Sequence, residues 1–423
     1  MAHFKKRLER PRQHSFLSFG PSKYLAAGRL GGGVISAGWL VLIARSLTKD
    51  DFAVVVLVLS MSSLTSVLHD GGQCLLLTRQ AAEFPSKRIH LFELVLIRRM
   101  RLAVLGILLG GATFIFIADV PLSAVALIAP SILATVVYTT VFATLRAEGR
   151  VGLESANEFV SRIGVFISGV VVSIDHLTAV KVIIIYTVVD LFSMVVVVSK
   201  HIDFFRFRDR VQLSRRDIGQ LHWRGSFVVG LTGGVGVIVA KVDPILISGL
   251  AGNVELAKFA LGSRLVEFFI VPIGAIVAIR IADFARVGSD AQMVGVMRAI
   301  LTYSLVAIVV LELFATFLSR VFGADYAGAI APLRISAVSL MPVGCSMALL
   351  GWLTVRRPSF AFISVLIGLI SSVILHLSVT ARHGAVGGAF VNLATNMSIA
   401  IITMGLFWYQ LSSERRVLKQ FEV

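Results

Sequence analysis

The stretch Ala240–Ile276 reads AKVDPILISGLAGNVELAKFALGSRLVEFFIVPIGAI, and its pattern decides the fold class. Two apolar runs are joined by a short turn of small and polar residues. With its flanking residues, each run is long enough to cross about 30 Å of hydrocarbon as a helix. Ionisable side chains nevertheless lie inside both runs: Lys241 and Asp243 in the first, Arg264 and Glu267 in the second. The stretch therefore predicts two membrane-spanning helices with charge in their interior.

Apolar runs of this length recur from one end of the chain to the other. The 423 residues are 57% hydrophobic and 15% charged, whereas soluble domains average about 25% charged residues. We therefore expect an all-α polytopic membrane protein with about twelve spans in two six-helix bundles. The predicted spans are Tyr24–Leu47, Phe52–Leu77, Leu102–Ile117, Leu122–Leu145, Phe159–Val172, Val182–Ser199, Phe227–Gly249, Leu256–Ile281, Leu301–Leu318, Ala327–Val355, Phe360–Ser378 and Val386–Gln410.

The Lys and Arg residues predict how these spans are threaded. With both termini in the cytoplasm, 29 of the 40 cations lie in cytoplasmic segments, five in outer loops and six inside spans. This bias follows the positive-inside rule and also accounts for the net charge of +16 without a nucleic-acid partner. The predicted segments are a basic N-terminal segment (1–23), a first bundle (24–200), a cytoplasmic linker (201–226), a second bundle (227–410) and a tail (411–423).

The motif inventory favours a transporter over an enzyme. The sequence contains no P-loop, no H-E-x-x-H zinc motif and no nucleophile elbow, and its two cysteines have no metal-ligand spacing. We therefore predict no cofactor, no metal site and no catalytic residues.

Two of the six cations inside spans are predicted to lie at matching depth. Lys241 and Arg264 each lie about 12 Å from the outer end of their consecutive helices. Two cations so placed repel each other unless water, an acid or an anionic ligand lies between them. Glu267 is one turn after Arg264, so a pair within the helix is an alternative to a bound anion. Lys241 and Arg264 are thus candidates for lining a cavity.

The other intramembrane charges have weaker assignments. Arg29 either reaches the cytoplasmic headgroups or guards a vestibule. Arg162, Lys258 and Arg334 lie near span ends and are interpreted as anchors that reach the headgroups. The acids Asp190, Asp243, Glu267 and Glu312, of which Asp190 and Glu312 are placed near mid-span, are candidates for ion coupling or for pairing with the cations.

Several segments resemble the polysaccharide-biosynthesis membrane proteins, which are flippases for lipid-linked O-antigen and exopolysaccharide units. These segments are IARSLTKDDFAVVVLVLSMSSLTSVLHDGGQCLLLTRQA at Ile43–Ala81, the opening stretch Ala240–Ile276, VFGADYAGAIAPLRI at Val321–Ile335 and HGAVGGAF at His383–Phe390. The family belongs to the multidrug/oligosaccharidyl-lipid/polysaccharide (MOP) superfamily. In related peptidoglycan-precursor flippases, cations of the first and eighth spans line the cavity, and Arg29 and Arg264 with Glu267 match those places. The second span departs from that branch because it lacks a mid-span arginine.

The resemblance implies two bundles in a V shape and ion-coupled alternating access. It implies that a polyprenyl-pyrophosphate-linked oligosaccharide moves from the cytoplasmic to the periplasmic leaflet of the bacterial inner membrane, for lipopolysaccharide or exopolysaccharide synthesis. Expected partners are this lipid-linked saccharide, membrane lipids, and polysaccharide polymerase or export proteins.

Two other functions compete with this interpretation. A MATE-type multidrug exporter of the same superfamily typically carries an acid in its first span, and the span Tyr24–Leu47 contains none. Its cavity for cationic drugs should also be acidic, whereas the cavity predicted here is basic. A membrane-embedded polysaccharide-processing enzyme is disfavoured because every predicted outer loop is short.

Overall fold

The computed structural model describes residues 22–118, 120–150, 152–173, 176–205, 223–284 and 290–421. These residues are helical almost throughout, and none of them forms a strand. Most of the predicted N-terminal segment and linker lies outside the described residues.

The helices follow one another with short connections. They are α1 (Ser22–Ser46), α2 (Lys49–Asp70), α3 (Gln73–Glu83), α4 (Arg88–Ala118), α5 (Leu122–Ala147), α6 (Gly152–Ser173), α7 (Ala179–Lys200), α8 (Trp223–Ala251), α9 (Asn253–Phe284), α10 (Asp290–Ala315), α11 (Leu318–Phe322), α12 (Ile330–Val338), α13 (Leu340–Arg356), α14 (Pro358–Leu375) and α15 (Ala381–Phe421). Short 3-10 helices cover Pro85–Lys87, Ile202–Phe205 and Ala324–Ala329, and a π-helical turn covers His376–Thr380.

Eight helical segments among the described residues are long and apolar enough to cross a membrane. One of them, Pro358–Ser413, has 56 residues and a kink at Gly384, so it is long enough for two crossings. Together with α1, α4 and α9, these segments account for the twelve predicted spans. The membrane face at which α1 begins is called the near face below, and the opposite one the far face.

The spans form two bundles that use the same packing order. In the first bundle, α1 packs against α6 and α5 against α7. In the second, α8 packs against α14 and α13 against α15. The first span thus packs on the fifth, and the fourth on the sixth, in each half. The prediction of an all-α membrane fold with two helical bundles is confirmed.

Several predicted span boundaries differ from the structure, and two of them show why. The second span was extended to Leu77, but α2 ends at Asp70 because Gly71 and Gly72 adopt left-handed conformations, with φ of 43° and 80°. The third span was predicted to begin at Leu102, but α4 already begins at Arg88. Hydropathy alone missed this early start because the first turns of α4 are rich in charged residues.

Helix α2 contacts the second bundle near both of its ends. Near its start, the ring of Phe52 meets that of Tyr326 edge to face, with centroids 6.3 Å apart. Near its end, the Gly71 carbonyl lies so close to Gly230 of α8 that a Cβ atom there would collide with it. The bundles therefore touch near both membrane faces, and the residues of α2 between these contacts are free to line a central space.

We expect Gly230→Ala to lower the melting temperature of the purified protein in detergent. The added methyl group meets backbone rather than a movable side chain, so α8 must shift away from α2, at a cost of about 1–3 kcal/mol.

Gly233→Ala is the matched control, because a Cβ at Gly233 of the same helix meets no atom within 4 Å. Equal melting temperatures for the two variants would contradict this close contact.

Candidate functional site

A cavity of about 670 Å³ lies between the bundles, bounded along α2 by the contacts at Phe52 and Gly71. The first bundle lines it with α1, α2, α6 and α7, and the second with α9 and α13. Residues Val55 to Ser63 contribute the α2 wall. The cavity wall also includes Trp39, whose indole Nε1 donates to the Tyr186 hydroxyl at 2.9 Å.

Lys241, Arg264 and Glu267 form an ionic triad where this cavity meets the second bundle. Lys241 Nζ donates to Glu267 Oε1 at 2.9 Å, and Arg264 Nη1 donates to Glu267 Oε2 at 2.8 Å. The two cations therefore lie at a common depth on consecutive helices, with an acid between them. The pair between Arg264 and Glu267 within α9 is present, and Lys241 joins it from α8.

Arg162 corrects one of the anchor assignments. The sequence places it near a span end, yet its side chain lines the central cavity from α6, with Cγ packed towards Gly32 of α1. Arg162 thus faces from the first bundle the space that Arg264 faces from the second. Sequence reasoning missed this because only the packing of α6 against α1 decides whether this face meets lipid or cavity.

The described residues that line the central cavity carry no excess of positive charge, although the sequence predicts one. The charged residues lining the central cavity are Glu158, Arg162, Arg264 and Glu267, which are two acids and two arginines. The adjoining cavity in the second bundle adds one of each sign, Lys241 and Asp243. Among the described residues, the predicted cations Lys241 and Arg264 are present, but acids accompany them.

Arg29 lies in α1, one turn before the cavity-lining residues Gly32 and Gly33. Its side chain lies outside the described residues, so its assignment to the cavity stays a prediction.

Asp243 is the centre of a buried polar cluster in the second bundle. Its carboxylate accepts from Asn392 Nδ2 at 2.7 Å and lies 3.1 Å from His376 Nε2 and 3.5 Å from the Ser372 hydroxyl. Its side chain is only 4% exposed, and that of His376 is fully buried. His376 begins the π-helical turn after α14, and its Nδ1 lies 2.8 Å from the Thr380 hydroxyl.

This cluster borders a second cavity of about 400 Å³, which Asp243 and Asn392 line. The same cavity is lined by Lys241, Arg264 and Glu267, so the cluster and the triad share one space. Sequence reasoning selected Asp243 but not its partner His376. In the structure this histidine begins a π-helical turn, a feature frequent at functional sites, but sequence spacing does not connect it to Asp243.

The remaining predicted acids are separated from the triad. Asp190 of α7 accepts from the hydroxyl of Ser131 and lies 3.4 Å from that of Tyr138, both on α5. Glu312, which the sequence placed near mid-span, lies one turn before the end of α10 and pairs with Arg334 Nε at 3.1 Å. Neither residue lines the two cavities described above.

Two other cations have structural partners. Lys258 pairs with Glu255 in the first turns of α9. Arg99 was assigned to a loop, but it lies inside α4 with its side chain 2% exposed. Its guanidinium donates to the Thr140 hydroxyl at 2.6 Å and to the Val136 carbonyl at 3.3 Å, both on α5. Arg99 therefore ties α4 to α5 inside the first bundle.

Among the described residues, no group of three or more His, Cys, Asp and Glu side chains is arranged to hold a metal ion. The site is thus a set of paired charges around connected cavities.

No protein-family model and no curated protein sequence matches the chain. Solved structures do match it. The lipid II flippase MurJ in an inward closed conformation has a TM-score of 0.71 at 14% identity, with 91% of this chain and 87% of that chain covered. An inward-facing MATE family transporter of the MOP superfamily has a TM-score of 0.67 at 15% identity, with 95% and 97% covered.

The MATE multidrug transporter DinF-BH also has a TM-score of 0.67, at 15% identity, with 92% of this chain and 94% of that chain covered. At such low identity these matches show the fold alone. The chain has the two-bundle membrane fold shared by the MurJ flippase and the MATE transporters of the MOP superfamily.

Proposed function

We propose that the protein moves a polyprenyl-diphosphate-linked oligosaccharide from the cytoplasmic to the periplasmic leaflet of the bacterial inner membrane. The observation that carries this proposal is that Arg162 and Arg264, from opposite bundles, line one central cavity. The near face then lies in the cytoplasm with both termini, and the product passes to polysaccharide polymerase and export proteins for lipopolysaccharide or exopolysaccharide synthesis.

The diphosphate is the part of such a substrate that needs the protein most. It is a compact anion, and an unpaired charge at mid-bilayer costs about 2.5–3.5 kcal/mol or more. Guanidinium groups bind phosphate oxygens with paired, charge-assisted hydrogen bonds. Arginines on both bundles can hold the diphosphate while the bundles rock around it, which alternating access requires.

The apolar chain of the substrate has a separate place. A cavity of about 450 Å³ lies between α1, α9 and α10 and is lined almost entirely by apolar side chains. It shares Gly33, Phe268 and Val271 with the central cavity. The polyprenyl tail can therefore lie in an apolar groove while its diphosphate lies beside the arginines, as the resemblance to oligosaccharide flippases implies.

We expect Arg264→Ala and Lys241→Ala each to reduce translocation at least tenfold in proteoliposomes. Each change removes one cation from the anion site and leaves Glu267 with one partner fewer. Translocation is measured as the time-dependent protection of a fluorescent polyprenyl-diphosphate saccharide from an added quencher.

Lys258→Ala is the matched control, because it removes a paired lysine from the same helix outside both cavities. Normal translocation by both cavity variants would overturn the proposal.

A MATE-type exporter of cationic compounds is the second candidate. The observation that favours it is the presence of Glu158, Glu267 and Asp243 in the two cavities, since acids attract cationic cargo. The same proteoliposomes distinguish the two functions. Gradient-driven uptake of a cationic dye, without translocation of the diphosphate lipid, would replace the first function with the second.

We further propose that Asp243 is the ion-coupling residue. Asp243 is the most buried of the predicted acids, with its side chain 4% exposed. It also lines the same cavity as Lys241 and Glu267. A proton or a metal cation such as Na⁺ arriving at Asp243 would change the charge next to the triad and so alter how tightly the triad binds an anion.

We expect Asp243→Asn to abolish the stimulation of translocation by an imposed ion gradient while the variant still equilibrates substrate between leaflets. The substitution preserves the shape of the side chain but removes the charge that a coupling cation neutralises. Comparing imposed proton and sodium gradients identifies the ion.

Asp325→Asn, at an exposed acid in the 3-10 helix before α12, is the control. Full gradient stimulation in Asp243→Asn would exclude Asp243 as the coupling residue.

A further inference from the structure

Glu267 differs from Asp243, another acid in these cavities, in how it is held. Its side chain is 40% exposed, although each carboxylate oxygen binds a cation. Lys241 and Arg264 are less exposed, at 18% and 24%. Asp243, in contrast, is 4% exposed and is surrounded by donors from two other helical segments. Glu267 therefore lines the central cavity while it holds both cations, whereas Asp243 is enclosed in the bundle.

An anionic ligand that binds Lys241 and Arg264 must occupy the place that the Glu267 carboxylate holds. A ligand entering the central cavity meets Arg264 and Glu267, which both line it, and Lys241 lies behind them in the second cavity. An anion at this end of the cavity is therefore repelled by Glu267 as long as the glutamate stays in place.

We propose that Glu267 is a resident anion that occupies the place of one substrate phosphate and is displaced from Lys241 and Arg264 when the diphosphate binds. This inference rests on the proposed function. A phosphate presents two oxygens along one edge, as a carboxylate does, so it can accept from the same two donors. The second phosphate then extends across the cavity towards Arg162 of the opposite bundle.

This exchange distinguishes a diphosphate from a single phosphate. A single phosphate that displaces Glu267 replaces existing hydrogen bonds with similar ones and leaves the glutamate unpaired. A diphosphate makes the same replacement and adds contacts to Arg162, which lines the same cavity. The resident glutamate thus weakens the binding of every anion. A diphosphate compensates for this loss through its contacts to Arg162 of the first bundle, and an anion that cannot reach the first bundle does not.

The same exchange favours release of the cargo. In the empty protein, Glu267 keeps both cations paired, so the cavity can change its orientation without an anion. In the loaded protein, the displaced carboxylate competes for its former partners and promotes dissociation of the diphosphate. A carrier needs this balance because tight binding at the entry side would prevent release at the exit side.

The test measures the binding of inorganic pyrophosphate and orthophosphate to the purified full-length protein in nanodiscs by isothermal titration calorimetry. We expect Glu267→Gln to bind pyrophosphate at least about tenfold more tightly than the wild type, because coupling energies of close charge pairs reach that size. We also expect the preference for pyrophosphate over orthophosphate to decrease in this variant.

Glu312→Gln is the matched control. It removes a carboxylate that also pairs with an arginine of the second bundle but does not line either cavity, and its pyrophosphate affinity should equal that of the wild type. Glu267→Ser is a second uncharged variant. The pyrophosphate affinity is compared with the wild type in the uncharged variant that retains the wild-type melting temperature. Glu267→Asp keeps the charge and should retain an affinity within about threefold of the wild type.

Two outcomes contradict the inference in different ways. If the wild type binds pyrophosphate and both neutral variants bind it equally or more weakly, Glu267 positions the cations and does not compete with the ligand. The proposed function would then stand without this inference. If neither the wild type nor any variant binds pyrophosphate, the anion site itself is absent, and the proposed function fails together with the inference.

Discussion

The structure depends on the cost of placing charge inside a membrane. Lys241 and Arg264 lie inside spanning helices of the same bundle, and neither is stable there without a counter-charge. Glu267 supplies it with one carboxylate oxygen for each cation, at 2.9 and 2.8 Å. Once this triad forms, the positions of α8 and α9 relative to each other are restricted. The bundle can then stay packed although the charged side chains of the triad border its two cavities.

The two-bundle architecture places this triad beside the cavity between the bundles. Phe52 and Gly71 hold the bundles together near the two membrane faces, and the cavity lies between these contacts. Arg162 reaches the cavity from the first bundle, so an anion bound as we propose would bridge the two bundles. The apolar groove beside α1 and the Asp243 cluster behind the triad connect to the same space. Under the proposed function, anion, lipid chain and coupling ion would each have an adjacent place within one fold.

The sequence predicted those features that follow from the helix itself. Span positions depend on apolar length, and the common depth of Lys241 and Arg264 depends on a fixed rise per residue. It could not predict features that depend on how helices pack. Arg162 resembles an anchor until α6 is seen against α1, and Arg99 resembles a loop cation until α4 is seen to begin at Arg88. The partners of Asp243 lie more than a hundred residues away in the chain, so sequence spacing gave no sign of them.

The diphosphate of the proposed substrate binds between Arg162 and Arg264, in place of the Glu267 carboxylate, if the proposed exchange occurs. The most direct measurement is an electron cryo-microscopy structure of the protein in nanodiscs with a polyprenyl-diphosphate saccharide. We predict phosphate density in contact with both arginines, with the Glu267 carboxylate moved away from Lys241. Phosphate density outside the central cavity, with Glu267 still bound to Lys241 and Arg264, would contradict the account.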